Sequence, residues 1–444
     1  MKILRFLISI TAVALAAHPG AALGQSLTNL WVFGGGGQGF FPFESLVQGT
    51  DGNFYGTVGS GGTSNNGAVF RITPTGSLTN LYLFTGPDGA RPSAELVQGS
   101  DGNFYGTTAE GGTSTNCGGG CGAVFQMTPT GTLTNLHSFT GLDGSNPQAA
   151  LVEGSDGNFY GTTYFGGANG SGTVFRITTA GTLTNLYSFS GPDGAFPYAG
   201  LLLASDGNFY GTTYLGGASG SGTVFRISPS GSLTNLHSFS GPDGASPQAA
   251  LVEGTDANFY GTTYFGGTSG SGTVFRITAS GGLTNLHSFI GADGANSWAA
   301  LVLGSDGNFY GGSLTNLHSF ASGTDGAFPE DALIQGADGN FYGTTVFGGI
   351  NGVGTIFKLT VPFSPPANQI SALQFFTVFN VTGMAVLIPS VAGETYQLQY
   401  TASMSPTNWI NTGDPTPSIG GPLILTDFMD VQPSQRFYRA VITP

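Results

Sequence analysis

Charged side chains are scarce in this sequence of 444 residues: Asp, Glu, Lys and Arg together make up 8%. Basic residues are the rarest, with 10 Lys and Arg against 24 Asp and Glu, for a formal net charge of −14. A surface of this sign repels phosphate backbones and anionic lipids, so we expect no nucleic-acid partner. The 77 glycines could indicate disorder. However, 35 Phe and 16 Tyr in regular register supply apolar surface to bury, which predicts an ordered chain.

Long apolar runs are also missing. The run from Phe6 to Ala17 is shorter than the roughly 20 residues of a membrane span. Lys2 and Arg5 precede it, and the small residues Ala22 and Gly24 follow it. This pattern predicts a signal peptide over residues 1–24, a secreted or cell-surface protein, and no transmembrane segment after cleavage. Without Lys2 and Arg5 the charge would be 8 − 24 = −16.

Cysteine occurs only at Cys117 and Cys121. In an exported chain two cysteines this close predict a disulfide. Closing so short a ring restricts the unfolded chain by about 2 kcal/mol on the loop-entropy model, so the bond is a local staple. A zinc site is not expected, because two thiolates without nearby histidines supply half of a ligand shell.

What the sequence does have is a repeat with a period near 50 residues. Each copy contains an Ala-Leu-Val type run, then NFYGTT, GTVFRI and LTNLxSF, which are four strand candidates separated by turn residues. Four strands in such a period are typical of a β-propeller blade. We therefore predict an all-β fold with a seven-bladed propeller over residues 25–360, and a β-helix is the alternative. The LTNL motif begins at Leu27, Leu78, Leu133, Leu183, Leu233, Leu283 and Leu314.

The phase of the repeat makes a further prediction. If the Ala-Leu-Val run is innermost and LTNLxSF outermost, the chain starts on an outermost strand and ends on a third strand. Residues 27–33 should then pair beside residues 355–360 and close the ring, which removes an exposed sheet edge. The sixth repeat is truncated, since its NFYGG motif, which ends at Gly312, is followed directly by the SLTNL motif, which begins at Ser313. The GTVFRI portion between these motifs is missing. We predict that residues 314–320 fold back as a hairpin into its third-strand position, and that residues 321–330 form the return loop.

After residue 360 the composition changes. Residues 361–369 are rich in proline and predict a linker. From residue 370 to 444 the repeat is absent, and short runs alternate apolar and polar residues at strand period. These runs predict a small β-sandwich of the immunoglobulin or fibronectin type.

The DGNFYGTT, GGxxGSGTVFRI and LTNLxSF elements resemble the choice-of-anchor tandem repeat GloVer family of exported bacterial proteins, over residues 27–360. The C-terminal segment resembles a sandwich module found at the end of bacterial secreted proteins. The resemblance implies the fold and export, and it implies no established activity. The chain departs from relatives that end in a sorting signal, because no apolar helix with basic residues follows Arg439.

Several recurring polar residues have a structural interpretation that we prefer. The histidines of LTNLxSF share their register with Trp31, Tyr82 and Tyr187, which indicates packing and not a metal ring. The aspartates of the PDG and DGN loops are typical of turns, with Ca²⁺ binding as the alternative and no other cofactor expected. The basic residues of VFRI are expected on exposed strand positions. These sets are His137, His237, His287 and His318; Asp88, Asp143, Asp193, Asp243, Asp293 and Asp325; the DGN aspartates from Asp51 to Asp338; and Arg71, Arg176, Arg226, Arg276 and Lys358.

The favoured function is a non-catalytic binding or surface-interaction module, monomeric and directed at an extracellular glycan or surface protein. Tyr164, Tyr214 and Tyr264 could stack on sugars, with Asp193 and Asp243 accepting hydrogen bonds from hydroxyls. Packing between blades is the other interpretation of these tyrosines.

No catalytic residue is assigned, because the remaining charged residues form no convincing pair in the sequence. A polysaccharide hydrolase or lyase and a structural spacer remain alternatives. The unpaired candidates are Glu44, Arg91, Glu95, Glu110, Glu153, Glu253, Glu330 and Asp331.

Overall fold

A computed structural model describes most of the repeat region and the strands of the C-terminal region. The described residues are 26–34, 42, 45–291, 295–297, 299–303, 309–310, 327, 332–360, 372–378, 381–390, 395–401, 410–417, 421–429 and 437–443. They divide into two compact units, Ser26–Leu359 and Thr360–Pro444. The predicted signal peptide and linker, and residues 314–320 of the predicted hairpin, lie outside the described residues. Within these ranges no helix has the length and apolar composition of a membrane span.

The described secondary structure of the first unit consists of short antiparallel strands. In chain order they are β1 (Ser26–Val32), β2 (Val47–Gln48), β3 (Phe54–Val58), β4 (Ala68–Ile72), β5 (Leu78–Leu83), β6 (Val97–Gln98), β7 (Phe104–Thr108), β8 (Ala123–Met127), β9 (Leu133–Ser138), β10 (Val152–Glu153), β11 (Phe159–Thr163), β12 (Thr173–Ile177), β13 (Leu183–Ser188), β14 (Leu202–Leu203), β15 (Phe209–Thr213), β16 (Thr223–Ile227), β17 (Leu233–Ser238), β18 (Val252–Glu253), β19 (Phe259–Thr263), β20 (Thr273–Ile277), β21 (Leu283–Ser288), β22 (Val302–Leu303), β23 (Phe309–Tyr310), β24 (Ile334–Gln335), β25 (Phe341–Thr345) and β26 (Thr355–Thr360).

Five four-stranded blades are formed by consecutive strands: blade 1 (β2–β5), blade 2 (β6–β9), blade 3 (β10–β13), blade 4 (β14–β17) and blade 5 (β18–β21). In blade 3 every residue of β11 is buried, and so is every residue of β12 except Arg176, because both faces of the sheet are covered. The outermost strand β13 is partly exposed. Gly161 is needed in β11, since a Cβ there would lie 2.7 Å from the Phe175 ring.

The N-terminal strand completes the last blade, as predicted. The order β1-β26-β25-β24 makes β1 the outermost strand of this closing blade. Phe33 N donates a hydrogen bond to Gly354 O at 3.2 Å, and Asn351 Nδ2 donates to Phe33 O at 3.0 Å. Phe33 is fully buried in the same apolar cluster as Phe54 and Phe70 of blade 1. Residues from the two ends of the repeat region therefore share one core.

The prediction of seven blades is wrong. The described residues form six four-stranded blades, and the truncated sixth repeat contributes only the two-stranded sheet β22-β23. The reason is visible in the sequence, because this repeat lacks the GTVFRI segment that forms the third strand elsewhere. The fold is an all-β propeller with six blades.

Neighbouring blades are joined by hydrogen bonds as well as by packing. In five repeats a Thr hydroxyl of the second strand donates to an alanine carbonyl of the next blade, as Thr107 Oγ1 does to Ala149 O at 3.2 Å. The second residue of the innermost strand reaches back to the preceding blade's DGN turn. Gln98 Oε1 accepts from Thr50 N at 2.8 Å, and Glu153 Oε2 accepts from Ser100 N at 2.8 Å.

The second unit contains two three-stranded antiparallel sheets. One has the order β27-β28-β31 and the other β30-β29-β32, and residues of β30 and β31 contact each other. The assignment of this unit as an immunoglobulin-like or fibronectin-like sandwich stays a prediction. The strands are β27 (Ala372–Val378), β28 (Val381–Ser390), β29 (Thr395–Thr401), β30 (Ile410–Pro417), β31 (Gly421–Met429) and β32 (Phe437–Thr443).

Phe33→Ala tests the contribution of ring closure. We expect the free energy of unfolding to fall by about 3–5 kcal/mol, because a fully buried phenylalanine is removed where the last blade meets the first. Denaturant titration measures the change, and Phe165→Ala, at a phenylalanine that is 45% exposed, is the control. Equal stability of the two variants would contradict the closing role of Phe33.

Candidate functional site

The innermost strands leave a cavity of about 680 Å³ among them, lined by residues of all five consecutive blades. In most repeats the position two residues before the innermost strand carries a small side chain, which leaves this space. Thr-to-carbonyl hydrogen bonds hold the preceding alanines in place, so the walls are fixed by the framework. The small residues that line the cavity are Ala150, Gly200, Ala250, Ala300 and Ala332.

One repeat breaks this pattern. Glu95 occupies the same register as those small residues and also lines the cavity. Gln148 and Gln248 line it from two other repeats. The cavity thus combines apolar walls with a few polar groups from separate blades, as ligand pockets do.

An ion pair lies at the edge of the cavity in blade 2. Arg91 Nη1 donates a hydrogen bond to Glu110 Oε1 at 2.8 Å, and both residues line the cavity. Backbone hydrogen bonds between Ala90 and Glu110 in both directions, at 2.8 and 3.0 Å, hold the two segments together. The side chains are 58% and 35% exposed, and exposed pairs contribute at most about 1 kcal/mol. Fold stability therefore does not explain this pair.

The edge of the cavity is open at blades 1 and 2 because two large residues are missing there. At the register of Tyr164 the first two blades carry Gly59 and Ala109, and both line the cavity. On the other side Tyr198 lines the cavity, and its ring centroid lies 5.9 Å from that of Tyr164. We call this opening, bounded by Gly59, Arg91, Ala109, Glu110 and Tyr198, the cavity mouth.

None of the three tyrosines selected from the sequence lines the cavity, and Tyr164 lies beside the mouth. Tyr164 is partly buried and packs against Phe196 at 5.3 Å between ring centroids. Burial, and then the nearby Tyr214, raise the pKa of Tyr164. Tyr214 and Tyr264 are also partly buried. Packing therefore accounts for much of their surface, and a role in binding stays a prediction.

The two aspartates selected with them bind their own loops and the outermost strand. Asp193 accepts hydrogen bonds from Tyr187 Oη at 2.5 Å and Ser190 N at 2.8 Å. Asp243 is hydrogen-bonded to His237 Nε2 and accepts from Ser240 N, each at 2.8 Å. The described contacts do not bring these carboxylates to the tyrosines.

The comparisons with known proteins agree with this repeat architecture. The family model of the Gloeobacter/Verrucomicrobia repeat matches residues 21–119 and 113–313. The chain belongs to this family. No curated protein matches the sequence.

Solved structures similar to this Gloeobacter/Verrucomicrobia repeat protein share little sequence with it. A periplasmic gluconolactonase from Pseudomonas aeruginosa has 15% identity and a TM-score of 0.41, over 86% of this chain and 98% of its own. A Dyadobacter fermentans protein of unknown function has 11% identity and a TM-score of 0.41, over 75% and 98%. An ulvan lyase has 10% identity and a TM-score of 0.38, over 58% and 76%.

The described histidines of the repeat lie on the outermost strands, and His318 is outside the described residues. His137 Nε2 is hydrogen-bonded to Asp143 Oδ2 at 2.8 Å, and Tyr82 Oη donates to Asp88 Oδ2 at 2.6 Å in the equivalent place. His and Tyr interchange in this register because both reach the loop carboxylate. Among the described residues no three His, Cys, Asp or Glu side chains form a group that could hold a metal ion.

The described DGN aspartates are also turn residues in this family member, and Asp306 lies outside the described residues. Asp101 accepts hydrogen bonds from Asn103 N at 3.0 Å and from Tyr105 Oη at 2.8 Å. Burial, and then the bond to Asp101, raise the pKa of Tyr105 to about 12. Lys358, from the basic register, pairs with the turn residue Asp338 at 2.8 Å.

The predicted disulfide between Cys117 and Cys121 is present. Its loop lies beside the cavity mouth, since Asn146 N donates to Cys121 O at 2.8 Å and Asn146 lines the cavity. A Cβ at Gly119 would lie 3.6 Å from Glu110 Oε2. The staple thus supports the segment next to the ion pair.

The sequence analysis did not predict that Arg91, Glu95 and Glu110 line one cavity. A signal was available, because the other repeats carry uncharged residues at each of these registers. Glu153 and Glu253 have a different role, as both accept hydrogen bonds from the preceding blade's turn. Glu44, Glu330 and Asp331 lie outside the described residues.

The turn aspartates predict acid sensitivity. Burial raises the pKa of Asp143, but hydrogen bonds from His137 and Thr140 outweigh burial and lower this pKa to about 2. Burial likewise raises the pKa of Asp338, and hydrogen bonds led by that from Lys358 lower it to about 2. Both values lie below the ordinary 3.8, so the unfolded state binds more protons. The stability that these two carboxylates contribute is fully present well above pH 3.8 and is lost as the pH falls toward 2.

Thermal melting between pH 6 and pH 2 measures this loss. Asp143→Asn should show a shallower decline than the parent protein, because one of the titrating groups is gone. A midpoint that stays constant or rises with acidification would show that these carboxylates do not stabilise the fold.

Proposed function

We propose that this repeat protein is an exported, non-catalytic module that binds carbohydrate in the axial cavity through its mouth. The observation that carries the proposal is the cavity itself. Its volume of about 680 Å³ lies within the roughly 300–1,000 Å³ of small-ligand sites. Small apolar walls and a few convergent polar groups are the composition of such sites.

The groups at the mouth suit a sugar. Tyr198 offers an aromatic face for the C–H side of a pyranose ring, and Arg91 and Glu110 offer a hydrogen-bond donor and an acceptor for hydroxyls. Phe165, Phe265 and Phe347, which share the register of Glu110, are 45%, 44% and 42% exposed. They extend the aromatic surface on the same end of their blades.

The signal-like N-terminus and the disulfide support an extracellular or cell-surface location. The acidic composition favours a neutral glycan or a surface protein over nucleic acid as the partner. We propose that the protein acts as a monomer.

Glycan cleavage is the second candidate. The observation in its favour is that Glu95 and Glu110 line the same cavity, since glycosidases work with a pair of carboxyl groups. A purely structural spacer would need neither the cavity nor these side chains.

Thermal melting of residues 25–444 against a polysaccharide panel, with and without Ca²⁺, tests binding. We expect at least one glycan to raise the midpoint, since a ligand at one hundred times its Kd adds about 2.7 kcal/mol to stability. Assaying the same wells for reducing ends detects cleavage, and Glu95→Gln should abolish any product.

Tyr198→Ala should weaken the thermal shift, because it removes an aromatic face from the cavity wall. Leu142→Ala is the control, at a side chain that is 83% exposed and does not line the cavity. If no glycan shifts the midpoint, the binding proposal fails and the spacer becomes the better explanation.

A further inference from the structure

One position in the repeat has a left-handed backbone and is not glycine. Among the described residues 43 glycines and 7 other residues have positive φ. Five of these seven share one register, at the entry to the innermost strand, with φ between 53° and 58°. They are Arg91, Asn146, Phe196, Ser246 and Asn296. We call these five residues the entry ring.

A left-handed backbone crowds an L side chain against the chain and leaves glycine unaffected. The framework imposes this conformation from both sides. Phe196 N donates to Ser171 O at 2.8 Å, and Tyr214 N donates to Phe196 O at 3.0 Å. Because glycine fills nearly all the other left-handed positions of this chain, the entry ring retains side chains at a cost that glycine would remove.

Three of the five entry-ring residues lie at the cavity or beside its mouth. Arg91 and Asn146 line the cavity directly. Phe196 packs against Tyr164 at the edge of the mouth. The side chains at these three positions are therefore placed where a ligand would meet them.

Their chemistry also differs from blade to blade: a guanidinium, two amides, a phenyl ring and a hydroxyl. Asn146 and Asn296 each donate to a carbonyl of the preceding blade, Ala109 O and Tyr264 O, both at 3.0 Å. That hydrogen bond accounts for asparagine at these two positions, but it does not account for the side chains of Arg91 and Phe196. A requirement of the framework alone would favour one residue type.

We propose that the entry ring selects the ligand of the cavity, and that this ligand is a neutral saccharide. The inference rests on the proposed carbohydrate binding. Arg91 and Glu110 together carry no net charge and present donors beside acceptors, which matches neighbouring hydroxyls. Phe196 supplies an aromatic surface on the other side, and the acidic chain disfavours a polyanionic glycan.

The test replaces entry-ring residues by a residue that the ring already contains. Arg91→Asn and Phe196→Asn introduce the asparagine found at positions 146 and 296, which tolerates the left-handed region. Ala257→Asn is the matched control, because Ala257 has φ 57° in a DGN-type turn and does not line the cavity.

Calorimetric titration with cellohexaose, mannohexaose and an oligogalacturonate of the same length measures the selection. We expect the parent protein to bind a neutral hexasaccharide and not the oligogalacturonate. Arg91→Asn and Phe196→Asn should weaken that binding at least tenfold with unchanged melting temperature, and Ala257→Asn should bind like the parent.

The outcomes separate the two proposals. Parent-like affinity in both ring variants would show that the entry ring does not select the ligand, and the proposal of carbohydrate binding would stand. If the parent protein prefers the oligogalacturonate, the proposal that the ligand is a neutral saccharide is wrong. If the parent binds none of the three glycans and none of the polysaccharide panel, carbohydrate binding fails and the inference fails with it.

Discussion

The contact on which the ring depends is a stack between the tyrosine of one NFYG motif and the phenylalanine of the next. Ring centroids are 4.0 Å apart for Tyr55 and Phe104 and 3.9 Å for Tyr105 and Phe159. Two further pairs join blades 3 to 5, and Tyr342 meets Phe54 at 4.2 Å across the closure. Each tyrosine hydroxyl also donates to the aspartate of its own turn. The same two residues thus fix the turn and the contact between neighbouring blades.

Much of the fold could be predicted because the motifs for the strands and turns of a blade lie close together in the sequence, within one repeat. Strand order, the closing strand and the disulfide follow from motif spacing and from the phase of the repeat. The predicted number of blades was wrong, since counting motifs gave full weight to a sixth repeat whose described residues form only β22-β23. The site was missed for a different reason. Arg91, Glu95 and Glu110 lie on two loops, before the innermost strand and after the second strand of blade 2, and the backbone bridge between Ala90 and Glu110 brings these loops together at the cavity. Sequence separation says nothing about that distance.

The polar residues that the sequence does highlight are mostly explained by the framework. Asp193 and Asp243 complete loops, Glu153 and Glu253 join blades, and the histidines replace tyrosines as partners of loop carboxylates. Recurrence in a repeat protein therefore indicates a structural role first. Departure from the repeat is the more informative signal, because a framework built from identical units needs no exception.

The departures of this chain lie close together. Gly59 and Ala109 open the mouth, Arg91 and Glu110 pair at its edge, and the Cys117–Cys121 loop supports the same segment. A ring held by aromatic stacks needs few charges, and most of the described acidic residues are engaged in turns or between blades. We therefore propose that the charge that remains at the cavity, where an exposed pair stabilises the fold little, is there for the ligand.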